Sequence, residues 1–157
     1  MYVPEGCSYL MLTPVCVNLV AHSFYSQRQL QESRLVLKGH RYEINFEELE
    51  QLLSKPEVKM LEFMNPHSTT GRVWSCAELE QLVEIIEKTG KVLLVNEIYA
   101  DLSHKPFQSL LKYADRLKDQ LIVCGSPSKA FNVSGSVCGY GIMPNVADAN
   151  RFKEIEL

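Results

Sequence analysis

Lys129 lies in a polar loop whose neighbours are suited to carbonyl chemistry. The loop runs over 125–132 and follows the apolar run 120–124, which is typical of a buried strand. Ligands of open α/β sheets bind beyond the carboxyl ends of such strands, and an amine flanked by Ser126 and Ser128 can trap a carbonyl beside an anion site. The alternative interpretation is that Lys129 is a solvated surface lysine in a Ser/Pro loop, because most lysines are exposed.

Two further polar loops follow apolar runs earlier in the chain. Residues 65–72, rich in turn formers, come after the run 58–64, and residues 96–101 come after the aliphatic run 91–95. An open sheet builds a ligand crevice from polar loops at consecutive strand ends. We therefore expect these two loops and the loop of Lys129 to meet at one edge of a sheet.

The elements that must position these loops alternate along the chain. Apolar runs predict strands, and capped segments with apolar residues at helical spacing predict helices. The clearest helix begins at the capping box Ser75–Glu78 and ends at Gly90. This alternation predicts an α/β fold with a largely parallel sheet and flanking helices. Strands are predicted at 9–12, 34–37, 58–64, 91–95, 120–124 and 139–143, and the other helices at 18–31, 45–55 and 107–113.

Length, net charge and cysteine spacing limit the classes of protein to which this chain can belong. The 157 residues fit one domain, and a net charge of −3 with a pI near 5.8 gives no reason to expect a nucleic-acid or anionic-membrane partner. The N-terminus lacks the basic region of a signal peptide, and the apolar stretch 9–20 is too short to span a bilayer. The 5 cysteines form no C-x-x-C pair and are interpreted as reduced and buried, so we expect a cytoplasmic protein.

Other kinds of site are not favoured by the sequence. The 4 histidines lack metal-ligand spacing to one another or to the cysteines, so no metal site is predicted. Glu97 and Asp101 are interpreted as solvated carboxylates rather than as an acid/base pair. A G-x-S-x-G nucleophile motif is absent.

Three motifs, taken in order, resemble one family. They are Asn-Pro-x-x-x-x-Gly-Arg-Val-Trp from Asn65, x-Glu-Ile-Tyr-Ala-Asp-Leu from Asn96, and Ser-Pro-Ser-Lys-x-Phe-Asn from Ser126. Together they resemble the large domain of fold-type I pyridoxal-phosphate enzymes of the class I/II aminotransferase superfamily, and more narrowly the cystathionine β-lyase-like (carbon–sulfur lyase) branch. The resemblance covers 6–145. It implies pyridoxal 5′-phosphate as cofactor, an amino-acid substrate and a homodimer.

The resemblance implies a role for each matching residue. Lys129 matches the lysine that forms a Schiff base with the cofactor aldehyde and later moves protons at the substrate α-carbon, which requires a partly desolvated amine. Ser126 matches a residue that helps to hold the cofactor phosphate. Tyr99 matches a phenol that hydrogen-bonds the ring oxygen, although an aromatic packed under a loop is the alternative. Asn65 is expected to shape the loop beside the ring, or to serve only as a turn residue.

Several positions depart from the family pattern. Asn96 stands where the family has the aspartate that partners the protonated ring nitrogen, and an amide contributes no opposing charge. Ser68 replaces an asparagine that donates to the ring oxygen. Cys16 replaces an aromatic that stacks on the ring, a loss of about 0.5–1.5 kcal/mol. Val137 stands where many aminotransferases keep a phosphate-binding arginine.

The family's members are more than twice as long as this chain. We therefore expect residues 1–157 to form part of a large domain, without its N-terminal phosphate-loop segment and without the C-terminal small domain. Two hypotheses follow. The chain belongs to an amino-acid enzyme that works through Lys129, or it is a catalytically inactive remnant or non-catalytic α/β module of that family.

Overall fold

The computed structural model describes residues 2–155, apart from the side chains of residues 18, 22–24 and 155. Strands and helices alternate along the chain. The strands are β1 (Ser8–Thr13), β2 (Gln29–Arg34), β3 (Val36–Lys38), β4 (Arg41–Glu43), β5 (Val58–Met64), β6 (Val92–Asn96), β7 (Leu121–Gly125) and β8 (Tyr140–Ile142). The helices are α1 (Val17–Ser26), α2 (Phe46–Leu53), α3 (Cys76–Thr89) and α4 (Val146–Ile155). Among the described residues, no helix combines the length and apolar character needed to cross a membrane.

Most strands join one sheet, in the order β2-β1-β5-β6-β7-β8. Its first five strands are parallel, whereas β8 is antiparallel to β7. Strands β3 and β4 form a separate hairpin. Because parallel strands point the same way, the loops after β1, β5, β6 and β7 leave from one edge of the sheet. The predicted α/β class with a largely parallel sheet and flanking helices is confirmed.

The main core lies on one face of the sheet, beneath α2 and α3. Alternate strand residues point toward it, and they meet the apolar stripe of each helix. The fully buried side chains there include Leu49, Leu61, Phe63, Leu79, Leu82, Leu93 and Val95. A smaller cluster of Tyr9, Met11 and Met60 lies on the opposite face, against α1 and the N-terminal segment.

The caps predicted for the central helices are present. Glu78 N donates to Ser75 Oγ at 3.3 Å, and Ser75 N donates to the Glu78 carboxylate at 2.8 Å. Gly90 follows α3 with a φ of 68°, a conformation that glycine adopts without strain. Asn45 caps α2 by accepting a hydrogen bond from Glu48 N at 3.3 Å. These contacts fix the helices that cover the main core.

Three predicted element boundaries were wrong. The helix predicted over 18–31 ends at Ser26, because Gln27 is left-handed with a φ of 55° and the following residues pair with β1 as β2. The strand predicted over 34–37 is divided between the end of β2 and the β3–β4 hairpin. The helix predicted over 107–113 is one 3-10 turn, Leu110–Tyr113, which starts late because the Ser109 side chain caps it at Leu111 N.

The prediction that the cysteines are buried was also wrong. Cys16, Cys76 and Cys138 are exposed, and Cys7 and Cys124 are half-buried. Cys16 and Cys76 lie at helix N-termini and Cys138 lies in a loop, where an apolar sequence neighbourhood does not imply burial.

Candidate functional site

The three polar loops leave the sheet from neighbouring strands. Met64 pairs with Asn96, and Asn96 pairs with Cys124, so the loops after β5, β6 and β7 begin at adjacent positions. Asn65 N donates to Asn96 O at 3.1 Å, and Glu97 N donates to Cys124 O at 2.8 Å. These bonds continue the pairing one residue beyond the strands. The structure therefore sets the candidate loops side by side.

Asn65 is fully buried and holds the first loop from within. Its Nδ2 donates to Gln108 O at 3.0 Å, and its Oδ1 accepts from Trp74 N at 3.4 Å. The side chain has no exposed surface. Asn65 therefore supports the site from behind and joins the loop after β5 to two other segments.

Arg72 and Trp74 hold the far end of the same loop. Trp74 Nε1 donates to Met64 O at 2.8 Å, which returns the loop to the strand it left. The Arg72 guanidinium lies 4.5 Å from the centre of the Trp74 ring and is paired with Glu78 of α3. The loop is thus fastened to both β5 and α3.

Ser68 and Tyr99 line one pocket between the first two loops. The pocket has a volume of about 350 Å³, and both residues are half-buried. The Ser68 hydroxyl lies 3.5 Å from Met64 Sδ, a weak acceptor that leaves it available to a stronger one. The fold brings these two predicted cofactor contacts together. The other lining residues are Pro66, His67, Gly71, Val73, Leu102, Ser103, His104 and Lys105.

His67, which also lines this pocket, is a buried and neutral imidazole. Its Nε2 donates to Leu12 O at 3.3 Å, because a carbonyl can only accept, and its Nδ1 then accepts from Thr70 Oγ1 at 3.0 Å. Burial lowers the pKa of His67, against the opposing effect of the hydrogen bond to Leu12. The ring ties the first loop to the end of β1.

Asn96 ends β6 with its amide held in one orientation. Its Oδ1 accepts from Ile98 N at 3.1 Å. A backbone N–H can only donate, so the carbonyl oxygen faces Ile98 and the NH₂ group points elsewhere. Within residues 2–155 the NH₂ group has no protein partner, and the side chain is half-buried. This strand end therefore offers a neutral hydrogen-bond donor.

Glu97 is the site residue that sequence reasoning missed, because its interpretation as a solvated carboxylate is wrong. It is 8% exposed. Its carboxylate accepts from Ser109 Oγ at 2.8 Å and from Leu110 N at 2.9 Å. Burial raises the pKa of Glu97, and these hydrogen bonds oppose that rise. Strand alternation could have indicated this burial, because residues 93, 95 and 97 point to the same face of the sheet, which the helices cover. Asp101 is exposed, as expected.

Lys129 lies in a turn after β7 with its side chain exposed. The described residues therefore do not supply the partial desolvation expected for a reactive amine. Ser126 Oγ donates to Cys138 O at 2.5 Å and accepts from Ser128 N at 3.1 Å. A hydroxyl has one proton, so Ser126 can donate to a phosphate only after it releases Cys138 O. Neither Lys129 nor Ser126 lines the pocket of Ser68 and Tyr99.

The substituted positions Cys16 and Val137 are both exposed. Cys16 follows β1 at the same edge of the sheet and precedes α1. Val137, in the loop after β7, is 93% exposed and has a φ of 44°. A β-branched residue is strained in this left-handed conformation.

A largely parallel sheet with polar loops along one edge is the arrangement in which open α/β sheets bind ligands. Residues 16–154 match the family model described as "Aminotransferase class I and II". This match covers most of the chain, so the chain belongs to the aminotransferase class I and II family.

Individual relatives indicate which branch of the family the chain resembles. The chain is 36% identical over 130 residues to cystathionine beta-lyase PatB of Bacillus subtilis (strain 168), a match over 80% of this chain and 33% of PatB. It superimposes on cystalysin from Treponema denticola with a TM-score of 0.92 and 29% identity, and the match covers 98% of this chain and 39% of cystalysin. The cystalysin structure contains a pyridoxal 5′-phosphate cofactor. For a PLP-bound C-S lyase from Staphylococcus hominis the TM-score is 0.89 and the identity 28%, over 98% and 40% of the two chains.

These likenesses confirm the resemblance to fold-type I pyridoxal-phosphate enzymes and their cystathionine β-lyase-like branch. They also confirm that the sheet is that of a large domain in this class. The chain spans between 33% and 40% of the length of these three relatives.

Proposed function

We propose that this chain is the cofactor-binding part of a pyridoxal-phosphate-dependent enzyme of the carbon–sulfur lyase or aminotransferase type, with Lys129 as its Schiff-base residue. The observation that carries the proposal is the common sheet edge from which the loops of Asn65, Asn96 and Lys129 depart, in a chain of the aminotransferase family. The name of the PatB relative supports a sulfur-containing amino acid as the substrate class.

The chain's own residues have distinct tasks in this proposal. The cofactor, when bound, supplies an aldehyde and a ring that withdraws electrons from the carbon next to the attached nitrogen. Tyr99 donates its hydroxyl to the ring oxygen from the pocket that it shares with Ser68. Ser126 donates to the phosphate in place of Cys138 O. The Lys129 side chain would accept and return the proton of the substrate α-carbon.

The Asn96 amide fits the cofactor in one protonation state. Its NH₂ group can donate to an unprotonated pyridine nitrogen, but it provides no charge to offset a protonated one. We therefore propose that Asn96 favours the neutral ring, which withdraws electrons less strongly. The expected consequence is cofactor binding with slow turnover.

A second candidate function is a non-catalytic α/β module of the same family. Two observations favour it, namely the exposed Lys129 side chain and the amide at Asn96. A reactive lysine needs a partly desolvated amine, which an exposed side chain lacks. This candidate predicts no turnover of amino acids.

Titration of the purified protein with pyridoxal 5′-phosphate tests the covalent role of Lys129. We expect an absorption band of the lysine–aldehyde linkage that sodium borohydride fixes irreversibly. Lys129→Ala should abolish the band, whereas the matched control Lys118→Ala, at an exposed lysine just before β7, should retain it. A missing band, or a band that survives in Lys129→Ala, contradicts the proposal.

Release of pyruvate from cystathionine or cysteine conjugates separates the two candidates. The enzyme predicts pyruvate from the wild type that Lys129→Ala abolishes. Asn96→Asp, which restores a carboxylate at the strand end, should then raise the rate about tenfold or more. Bound cofactor with no pyruvate from either protein favours the non-catalytic module.

We also propose that the intact enzyme is a homodimer. Apolar side chains are exposed along the segment after Lys129, and exposed apolar surface is a common feature of interaction sites. Sedimentation velocity should therefore show a dimer, and a strictly monomeric protein contradicts this part of the proposal. The exposed residues are Phe131, Val133, Val137, Tyr140, Ile142, Val146 and Phe152.

A further inference from the structure

A buried carboxylate and a buried amide hold one segment of the chain from two sides. Glu97 accepts hydrogen bonds from Ser109 Oγ at 2.8 Å and from Leu110 N at 2.9 Å. Asn65 donates to Gln108 O at 3.0 Å. Three successive residues are therefore fastened to the ends of β5 and β6.

The fastened segment closes the loop that carries Tyr99. Residues 102–105 of this loop line the pocket together with Tyr99. Inside the loop the hydrogen bonds are local, such as Ala100 N to Glu97 O at 2.9 Å and Leu102 N to Tyr99 O at 3.1 Å. No residue of 100–106 is buried. The two ends of the loop, rather than its own packing, therefore set the position of Tyr99.

The negative charge of Glu97 is suited to this contact. Both groups that face its carboxylate are donors, and hydrogen bonds to an ionised acceptor are stronger than those between neutral groups. A glutamine at this position has one acceptor oxygen and one NH₂ group. With that oxygen on Leu110 N, its NH₂ group faces Ser109 Oγ, so the Ser109 hydroxyl loses its acceptor and the hydrogen bond to Leu110 N loses its charged acceptor.

We propose that Glu97 is a positioning residue that, together with Asn65, fixes the Gln108–Leu110 segment and so holds Tyr99 in the wall of the pocket it shares with Ser68. The contacts alone support the positioning role of Glu97. Its consequence for the cofactor rests on the proposed function.

Amide hydrogen exchange in two charge-matched variants tests the positioning role. Glu97→Gln is compared with Asp101→Asn, which removes the same charge from an exposed carboxylate in the same loop. We expect Glu97→Gln to speed exchange at Leu110 and Leu102 about tenfold or more relative to Leu93 in β6. Asp101→Asn should change neither. Where Glu97→Gln fails to fold, Ser109→Ala removes one donor to Glu97 together with the cap on Leu111 N, and it should speed exchange at Leu110 and Leu102 in the same direction.

The dissociation constant of pyridoxal 5′-phosphate is the second readout. Glu97→Gln should raise it about tenfold, while Asp101→Asn leaves it unchanged.

Faster exchange at Leu110 without faster exchange at Leu102 overturns the inference, because the segment then opens without moving the Tyr99 loop. Unchanged exchange at both amides overturns it as well. Faster exchange with unchanged cofactor affinity removes its consequence for the cofactor. A wild-type protein that binds no cofactor refutes the proposed function, while the exchange comparison still decides the role of Glu97.

Discussion

Glu62 is predicted to make this protein less stable as pH rises through neutrality. It lies on the central strand β5, paired with Met11 on β1 and with Leu94 on β6. Strand alternation turns it to the face opposite the main core. Its carboxylate has no hydrogen-bond or ion-pair partner among residues 2–155, and burial raises the pKa of Glu62 to about 7.

The sign of the effect follows from proton binding. The native state keeps a proton on Glu62 up to about pH 7, whereas the unfolded chain loses it near the ordinary pKa of 4.5. Between these values the native state binds more protons, so the free energy of unfolding falls as pH rises. A pKa that moves from 4.5 to about 7 corresponds to at most about 3 kcal/mol, and solvent contact of the half-buried side chain reduces that figure. Domains have a total stability of about 5–15 kcal/mol, so this is a large change.

Urea unfolding at about pH 5 and about pH 8 measures the effect. The wild type should lose about 2 kcal/mol of unfolding free energy more than Glu62→Gln between these conditions. The variant should also be the more stable protein at the higher pH. Glu57→Gln, at an exposed glutamate just before β5, is the matched control and should keep the wild-type dependence. A Glu62→Gln protein with the full pH dependence of the wild type would refute this reasoning.

Three further predictions concern the fold around the site. Val137→Asn should raise the unfolding free energy by about 1 kcal/mol in urea, because asparagine tolerates the left-handed backbone that strains valine, and no gain would contradict the strain. Ser75→Ala should cost about 1 kcal/mol through loss of the α3 cap, and a loss close to zero would show that the cap is dispensable. Under a thiol reagent near neutral pH, mass spectrometry should find Cys124 labelled last, since burial and the charges of Glu62 and Glu97 raise the pKa of its thiol to about 11. Equal labelling of Cys124 and of the exposed Cys16, Cys76 and Cys138 would contradict that prediction.

The sequence predicted the elements best where local chemistry and burial agree. The predicted bounds of β5 match the observed ones, because an apolar run between turn formers indicates a buried strand from the local pattern alone. The α3 helix has both a capping box and a terminal glycine, so its ends were also predictable. β2 was missed because Gln29–Arg34 is polar, and its pairing with β1 is a long-range contact that local patterns do not report.

Some features of the candidate site could be predicted from the sequence, whereas others depend on the fold. The order of the motifs predicted the loops that meet, because parallel strands deliver their ends to one edge. The exposure of Lys129, the orientation of the Asn96 amide and the burial of Glu97 all depend on contacts with residues elsewhere in the fold. Glu97 is the instructive case, since its partners Ser109 and Leu110 are distant in sequence and carry no motif.

The most direct test of the central claim is to locate the residue that carries the cofactor after borohydride reduction. Protein saturated with pyridoxal 5′-phosphate is reduced, digested and mapped by mass spectrometry. The account predicts one pyridoxyl adduct per chain, on the peptide that contains Lys129. An adduct on another lysine such as Lys105, or cofactor that binds without forming any adduct, would contradict it.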